Sequence, residues 1–488
     1  MLIRPTLPRF VIGVVAAFAA VGCGGPAVPA DGTDTSGADR ADGGAQPDSP
    51  ARDILASADA TDDAPVRIDG TDVGVADSTL TDTVTPPPAF GCPALPSPTG
   101  MIVRVMPSQA NQLPNIVSTA ATGTTILLED GTYRMTVAGE GSRRLNFRTA
   151  GVTIRSVSND ATRVILDGEY MTNEIINVVV SDVTLAHFTV MRAIDHPIHV
   201  YPGGTTGIRN VRLYGMRLID GGEQFLKVNS NGADAWADDG RVECSFFQLT
   251  AAGRPHIERT PGGCYTGGID THGGRGWQVR LNRFEDMFCA GEGLAEHAIH
   301  FWVGSRDTVV ENNTIVNCAR GVGFGLVDAG MARTYTDNPY PGVSFIGHYD
   351  GVIRNNVIYA TIPYFDTGIE LAQARGARVF HNTVFTTPTA TGFFSPIDYR
   401  FANTVVEIRN NLVSRTITVR NGAMGTLSNN LENVAAAYFA NPAMVDFHLA
   451  TGATSAIDRG MTVSGAGVDI DGDPHTVRAP DIGADERP

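Results

Sequence analysis

Between residues 150 and 415 the chain alternates apolar and polar positions in short runs. "VTLAHFTV", "VRLYGMRL", "RVECSFFQL", "WQVRLNRFEDM", "TVVENNTIVNC", "GVIRNNVIY", "ARVFHNTVF" and "VEIRNNLVS" share one form. Each is an apolar–polar–apolar strand, a small polar residue, one further position and another apolar residue. Period-two alternation of this kind predicts half-buried β-strands. The turn positions fall at His187, Gly215, Ser245, Asn282, Asn313, Asn356, Asn382 and Asn411, with spacings of 28, 30, 37, 31, 43, 26 and 29. A recurrence of this length means a solenoid, a propeller or an array. Upstream, "MIVRV" predicts a strand, "LPNIVSTAATG" a short helix, and "TTILLEDGTYR" a strand closed by a turn.

A further strand follows each turn motif by about ten to twenty residues: "HPIHVY", "QFLKVN", "GGIDTH", "HAIHFW", "GVGFGL" and "TGIELA". Aligned, the inward pairs are Ile198/Val200, Leu226/Val228, Ile269/Thr271, Ile299/Phe301, Val322/Phe324 and Ile369/Leu371. The residue between each pair points outward, giving the column His199, Lys227, Asp270, His300, Gly323, Glu370. A second column, two residues on, reads Tyr201, Asn229, His272, Trp302, Gly325, Ala372. Strands in a sheet lie about 4.8 Å apart, so both columns are expected as one surface stripe. The two long spacings hold "TAAGRPHIERTPGGC" and "DAGMARTYTDNPYPGVSFIGHYD", expected as loops on the working face or as walls of a groove.

The pattern resembles the right-handed parallel β-helix of the pectate-lyase-like superfamily, over residues 100–445. The asparagine run resembles that fold's internal ladder of stacked amides. "ILLEDGTY" resembles a common first coil, and "DIDGDPHTVRAPDIGADE" a common C-terminal ending. The fold class implied is all-β: a single-stranded right-handed parallel β-helix with a disordered N-terminal tether. A propeller would require near-constant blade lengths and Asn-Gly or Asp-Gly hairpin turns, which are scarce here.

Composition changes the picture at the N-terminus. Arg4 and Arg9 precede an apolar run from Phe10 to Val21, too short to span a bilayer comfortably and of signal-peptide form. "AVGC" resembles the bacterial lipobox, which implies lipidation at Cys23; an ordinary cleaved signal is the alternative. Residues 24–90 contain thirteen Asp and three Arg and almost no large apolar side chains, so that stretch is expected to be disordered. The boundaries read as 1–23 signal peptide, 24–95 linker, 96–445 β-helix and 446–488 C-terminal cap or tail. The protein is expected to be exported, anchored by lipid to the outer membrane or cell surface (otherwise secreted or periplasmic), and monomeric. Of the net charge of −16, the part beyond the linker carries −8, which argues against nucleic acid as a partner. An oxidising compartment permits disulfides. The expected pairs are Cys289–Cys318, on stacked coils, and Cys244–Cys264, flanking the first long loop.

The candidate chemistry lies in the outward columns. β-Elimination or C5-epimerisation of a uronic-acid polysaccharide begins by removing a proton α to a carboxylate, and needs cations at the carboxylate and a base at the carbon. Lys227, Asp270, His272, Arg275, His300 and Arg320 are the candidate catalytic residues. Trp302, Tyr201, Asn229, His199 and Glu370 are the candidate substrate contacts. "GGEQFLKVNSNG" resembles the stretch carrying the catalytic Lys in chondroitinase-B-like and alginate lyases, which implies Lys227 as base; His300 stands where that resemblance expects an Arg, and a whole coil intervenes.

Glycoside hydrolysis needs two carboxyl groups about 5 to 9.5 Å apart. Asp270 and Glu370, three rungs apart, are about 14 Å apart, so a loop carboxylate such as Asp195, Glu296 or Asp328 would have to serve. A non-catalytic, glycan-binding surface protein is the third class. The partner in every case is an anionic polysaccharide or other glycan. No cofactor and no metal is expected. His297 and His300, with His272 and Asp270, are of transition-metal ligand type. Asp469, Asp471 and Asp473 alternate as in some Ca²⁺ loops but lack the distal bidentate Glu of an EF-hand, so a tight turn is the expectation and Ca²⁺ the alternative.

Overall fold

The structure is a computed structural model. It describes residues 91–487 apart from 139–140, 232–233, 261–262, 292, 328 and 476–478. The signal segment, Cys23, nearly all of the linker and Asp328 therefore lie outside the described residues. No helix among the described residues is long and apolar enough to cross a membrane.

Successive turns of the chain lay short strands into three parallel sheets, one of 14 strands and two of 10 among the described residues. The result is a single-stranded parallel β-helix, with the handedness that strand twist imposes on parallel crossovers. Its core is a stack of like residues. Ile126, Ile154, Leu185, Leu213, Val242, Val279, Val310, Ile353, Val379 and Ile408 succeed one another in register along the first sheet, all fully buried. Leu166, Val190, Leu218, Phe247, Phe284, Ile315, Ile358 and Val384 do the same along the third. Branched and aromatic residues suit such flat, stacked layers.

The first helix, Leu113–Thr119, turns Leu113 and Val117 inward at helical spacing. It belongs to the same core as strand Leu145–Phe147. The C-terminal segment packs on the outside of the third sheet: Phe439, Phe447, Leu449 and Ile482 cover Val316, Val357, Tyr359 and Phe385. In "DIDGDP", Asp469 accepts the backbone N–H groups of Asp471, Gly472 and Asp473, which makes it a tight turn.

The asparagine ladder is present. Asn282, Asn313, Asn356, Asn382 and Asn411 each donate Nδ2–H to the Oδ1 of the next, at 2.9–3.0 Å, and the run continues to Asn430. Each Oδ1 also accepts a backbone N–H from the coil before, as when Asn313 accepts from Asn282. Buried amides are thereby satisfied. At its start the alignment shifts by one residue. His187 and Gly215 occupy the left-handed position before the ladder, with φ of 59° and 57°, where later coils place Asn312, Asn355 and Asn410. A side chain at Gly215 would meet the His187 ring. The ladder position itself holds apolar Phe188 and Met216 before Ser245 begins the polar run.

The disulfides differ from both expected pairs. Cys92 bonds Cys244, and Cys264 bonds Cys289, while Cys318 is a buried free thiol. Cys244 occupies the left-handed turn position with φ 55° and shares a small apolar cluster with Tyr214, Leu281, Cys92 and Leu95. Cys92 precedes the repeats, so their spacing assigned it no place. Cys289 and Cys318 follow their turn motifs at different offsets and do not share a rung; Cys318 packs into the core, where burial pushes its thiol up.

Candidate functional site

The remaining 10-stranded sheet, which holds strands Gln224–Val228, Gly267–His272 and His297–Trp302, sets the outward column in register. His199 pairs with Lys227, Lys227 with Asp270, Asp270 with His300, His300 with Gly323 and Gly323 with Glu370. In the next column His272 pairs with Trp302. The first column extends beyond the expected rungs, to Asn177 on one side and Asp398 on the other.

The side chains form a connected network. Lys227 Nζ donates to Asp270 Oδ2 at 2.8 Å and lies 3.2 Å from His272 Nε2. Trp302 Nε1–H donates to Asp270 Oδ1 at 2.8 Å. His300 stacks parallel to Trp302, with ring centroids 5.4 Å apart, and His272 meets the same indole edge-on at 4.7 Å.

The stripe is buried, which corrects the expectation of an open surface. Lys227, Asp270 and His300 are 0%, 2% and 1% exposed, against 8%, 8% and 6% for Asn229, His272 and Trp302. Rungs about 4.8 Å apart let long side chains in successive coils turn to one another, so each covers its neighbour. The second column is buried too, only slightly less than the first. Trp302 has its N–H committed to Asp270 and one ring face against His300, so it positions the network.

A strand irregularity brings in residues that simple alternation missed. Phe225 and Leu226, Ala298 and Ile299 are consecutive core residues. The position before each such pair returns to the outward side. His297 thus shares the face with His300, ring centroids 4.4 Å apart, and pairs in register with Arg320. The signal was in the sequence: "FL", "GI", "AI", "GV" and "GI" are successive small or apolar residues just before the outward column. Asp398, in "SPIDYR", repeats the form of "TGIELA" and is bound by Arg420 at 2.6 Å.

Charges along the face are paired unevenly. Burial raises the Asp270 carboxyl, but Lys227, His272 and His300 outweigh it and hold it well below the usual carboxylate range. Glu370 is opposed by burial in the same way, yet Arg320, His297 and Arg400 bring it down. His297 Nε2 lies 3.1 Å from Glu370 Oε2, and Arg320 and Arg400 lie 3.8 and 3.7 Å from its two oxygens. Glu370 is thus a buried counter-ion to His297, Arg320 and Arg400. Glu296 is raised by burial and by the neighbouring Asp270 and Glu370 carboxylates. His300 is lowered to about 3 by burial and by His297.

The remaining candidates separate. His199 is bound to Glu174 at 2.7 Å and lies against Tyr201, at one end of the column. Arg275 does not join the network. It binds Asp307 and Asp337, both at 3.0 Å, at the corner where the second long loop docks. That loop is fastened there by Arg333 to Asp238 and the Gly273 carbonyl, and by Tyr335 to the Gly304 carbonyl. It stands just beyond the ends of the His272 and Trp302 strands.

Fold and face together define a parallel β-helix protein with a charged, interlocked column on one sheet. No family model matches the chain, and no curated protein matches it. Among solved structures it is similar to pectate lyase Pel9A, with 15% identity over 80% of this chain and 97% of that one and a TM-score of 0.49. It is also similar to an alginate lyase from Paenibacillus sp. str. FPU-7, with 16% identity over 68% of this chain and 99% of that one and a TM-score of 0.45. A rhamnogalacturonan lyase gives 14% identity, coverage of 70% and 90%, and a TM-score of 0.45. The fold itself rests on the strand pairing of this chain.

Proposed function

We propose that this is a carbohydrate-active β-helix protein acting on a uronic-acid-containing polysaccharide, by taking the proton α to the carboxylate. The observation that carries this reading is the register-aligned network of Lys227, Asp270, His272 and His300 on one outward face. That proton becomes acidic enough to remove only when the carboxylate charge is balanced by fixed cations. Lys227 and Arg320 supply such cations on the same face.

Lys227 is fully buried and ion-paired, which suits a fixed charge better than a free base. His272 lies at the outer edge of the network and is the group placed to take the proton. In elimination the base takes the C5 proton, the C–H electrons become the C4–C5 double bond, and the C4–O bond breaks with its oxygen taking up a proton from water. Epimerisation returns the proton to the other face of C5. Asn229, Trp302 and Tyr201 line the edge along which a sugar chain would lie. The basic and apolar N-terminal run and Cys23 support export and a lipid anchor, with residues 24–95 as the tether.

One observation favours a second reading, glycoside hydrolysis. Asp270 is held ionised while Glu296 is raised, and carboxyls pushed apart in this way divide into base and acid. His300 Nδ1 lies 3.6 Å from Asp270 Oδ1 and 3.8 Å from Glu296 Oε2, so those oxygens are at most 7.4 Å apart, below the upper limit of about 9.5 Å for hydrolysis.

One assay separates the readings: incubation with polygalacturonate, alginate and chondroitin. A new ultraviolet absorbance from the conjugated double bond supports elimination. Reducing ends without it support hydrolysis, inversion at C5 seen by proton NMR supports epimerisation, and binding with none of these changes supports a non-catalytic glycan binder.

A further inference from the structure

Beside the network lies a cluster that the elimination reading does not use. Glu296 Oε2 is 3.9 Å from His297 Nδ1 and 3.8 Å from His300 Nδ1. One donor atom from each of the three residues lies within 4.8 Å of the others. The far nitrogen of each ring is already engaged. His300 Nε2 lies 3.1 Å from the Gly325 carbonyl oxygen, and His297 Nε2 lies 3.1 Å from the Glu370 carboxylate. Both partners only accept, so each Nε2 carries a proton, and in the neutral ring that leaves Nδ1 with a lone pair.

With both rings neutral, two lone pairs and a carboxylate oxygen face one another. Separations of 3.8 and 3.9 Å are too long for a hydrogen bond from a protonated Glu296. His297 Nδ1 and Glu296 Oε2 are buried without a hydrogen-bond partner, in a ring that is 1% exposed and a side chain 14% exposed. Buried acceptors converging on one point are costly unless something positive sits among them.

We propose that His297 Nδ1, His300 Nδ1 and Glu296 Oε2 bind a divalent transition-metal ion of the zinc class, with Asp270 Oδ1 as the nearest further donor, 3.6 Å from His300 Nδ1. Two imidazoles select such an ion over calcium or magnesium, which take oxygen donors. The outer hydrogen bonds to Glu370 and Gly325 are of the kind that orient metal-bound histidines and fix their tautomers. Zinc bonds of about 2.0–2.1 Å at tetrahedral angles place donors about 3.3 Å apart, so Glu296 Oε2 must approach each ring nitrogen by about 0.5 Å. A water molecule donating to two of the three acceptors is the rival occupant. Such an ion, on the same face as Arg320 and Lys227, would add to the charge facing a bound uronate. That link rests on the proposed function; the site does not.

The test uses full-length protein stripped with chelator and dialysed. Zn²⁺ binding is followed by calorimetry, Co²⁺ binding by its visible spectrum, and folding by circular dichroism. The wild type should bind one equivalent with imidazole-type Co²⁺ bands, and Zn²⁺ should raise its Tm. Glu296→Gln and His297→Gln should weaken binding by about 100-fold or more, since loss of an outer-sphere partner alone costs 10–100-fold. His448→Gln, in the separate surface cluster with Asp471 and Asp485, should bind as wild type does. Absence of binding in the wild type, which leaves water as the occupant, overturns the proposal. So does binding that survives both substitutions, or binding lost only in His448→Gln. Should the variants fail to fold, the wild-type Co²⁺ spectrum decides, because oxygen-only bands place the ion elsewhere. Stoichiometric zinc in a protein that never yields the ultraviolet product keeps the site and removes elimination. Turnover in a protein that binds no metal does the reverse.

Discussion

Trp302 donates its indole N–H to Asp270 across adjacent coils, at 2.8 Å, although 32 residues separate them in sequence. Asp270 also receives Lys227, so one carboxylate joins three successive rungs. Trp302→Phe keeps most of the apolar surface and removes the donor. A hydrogen bond to a charged group contributes about 1.5–3 kcal/mol, and the loss should appear as a lowered urea midpoint with an unchanged m-value. A midpoint equal to wild type would show that the bond does not hold the network.

Lys227→Met leaves the buried Asp270 carboxylate without its ammonium partner. Breaking a buried pair from one side costs about 3–5 kcal/mol, whereas replacing both charges with apolar groups is often neutral. Lys227→Met should therefore be much less stable than the Lys227→Met/Asp270→Leu double variant. Equal stabilities of the two by urea titration would contradict the pairing.

The asparagine ladder should be unequal along its length. Asn356 is fully buried and is bonded on both sides, while the terminal Asn430 is partly exposed. Asn356→Ala leaves buried backbone and amide groups unpaired, at about 1–3 kcal/mol for each. It should lower Tm by several degrees more than Asn430→Ala.

Buried histidines should make the fold acid-sensitive. Burial lowers His348 to about 3; it sits against Phe324, with ring centroids 3.8 Å apart. The unfolded chain protonates this ring near pH 6.5. Its contribution is thus complete above about pH 6.5 and is lost as pH falls toward about 3. His381, near 3 through burial and then His475, and His196, near 3 through burial and then His199, act with the same sign. Asp286 and Asp485, raised to about 6 chiefly by burial, oppose the trend between about pH 6 and 4. His348→Gln isolates one group. Its stability relative to wild type should improve by about 1.4 kcal/mol for each pH unit below 6, measured by guanidinium titration at pH 6, 5 and 4. A constant difference would show that the ring is not held neutral.

The two disulfides close loops of very different length, 152 and 25 residues. Chain entropy assigns about 5 kcal/mol to the longer and about 3.5 kcal/mol to the shorter. Cys92→Ala/Cys244→Ala should therefore destabilise more than Cys264→Ala/Cys289→Ala, read as guanidinium midpoints. The reverse order would mean that the excursion held by Cys264 matters more than the N-terminal segment.

The coil was legible because its signals repeat. Period-two alternation, inward pairs and recurring Asn each recur on several turns, so Lys227, Asp270 and His300 could be assigned to one column from the sequence. Features that occur once were not legible. Cys92 lies before the first repeat and gave no hint of Cys244. His297 and Glu296 were legible as residue types, a metal ligand and a loop carboxylate, but their place beside the outward column was not, because a two-residue inward step breaks alternation just before it. Burial of Lys227 also escaped, since alternation gives the side of a strand and not what neighbouring rungs place over it. Arg275 was of the right chemical type, but the second long loop claims it through Asp337.

The amide ladder has one more consequence. Because Asn282 to Asn430 lock each turn to the next at a fixed pitch, distances along the outward column change only in whole steps of about 4.8 Å. Adding or deleting a turn would shift Lys227 against Glu370 by one such increment, and intermediate values are closed to the chain. The face therefore behaves as a graduated scale. A polymer lying along it would be sorted by whether its own repeat matches those graduations.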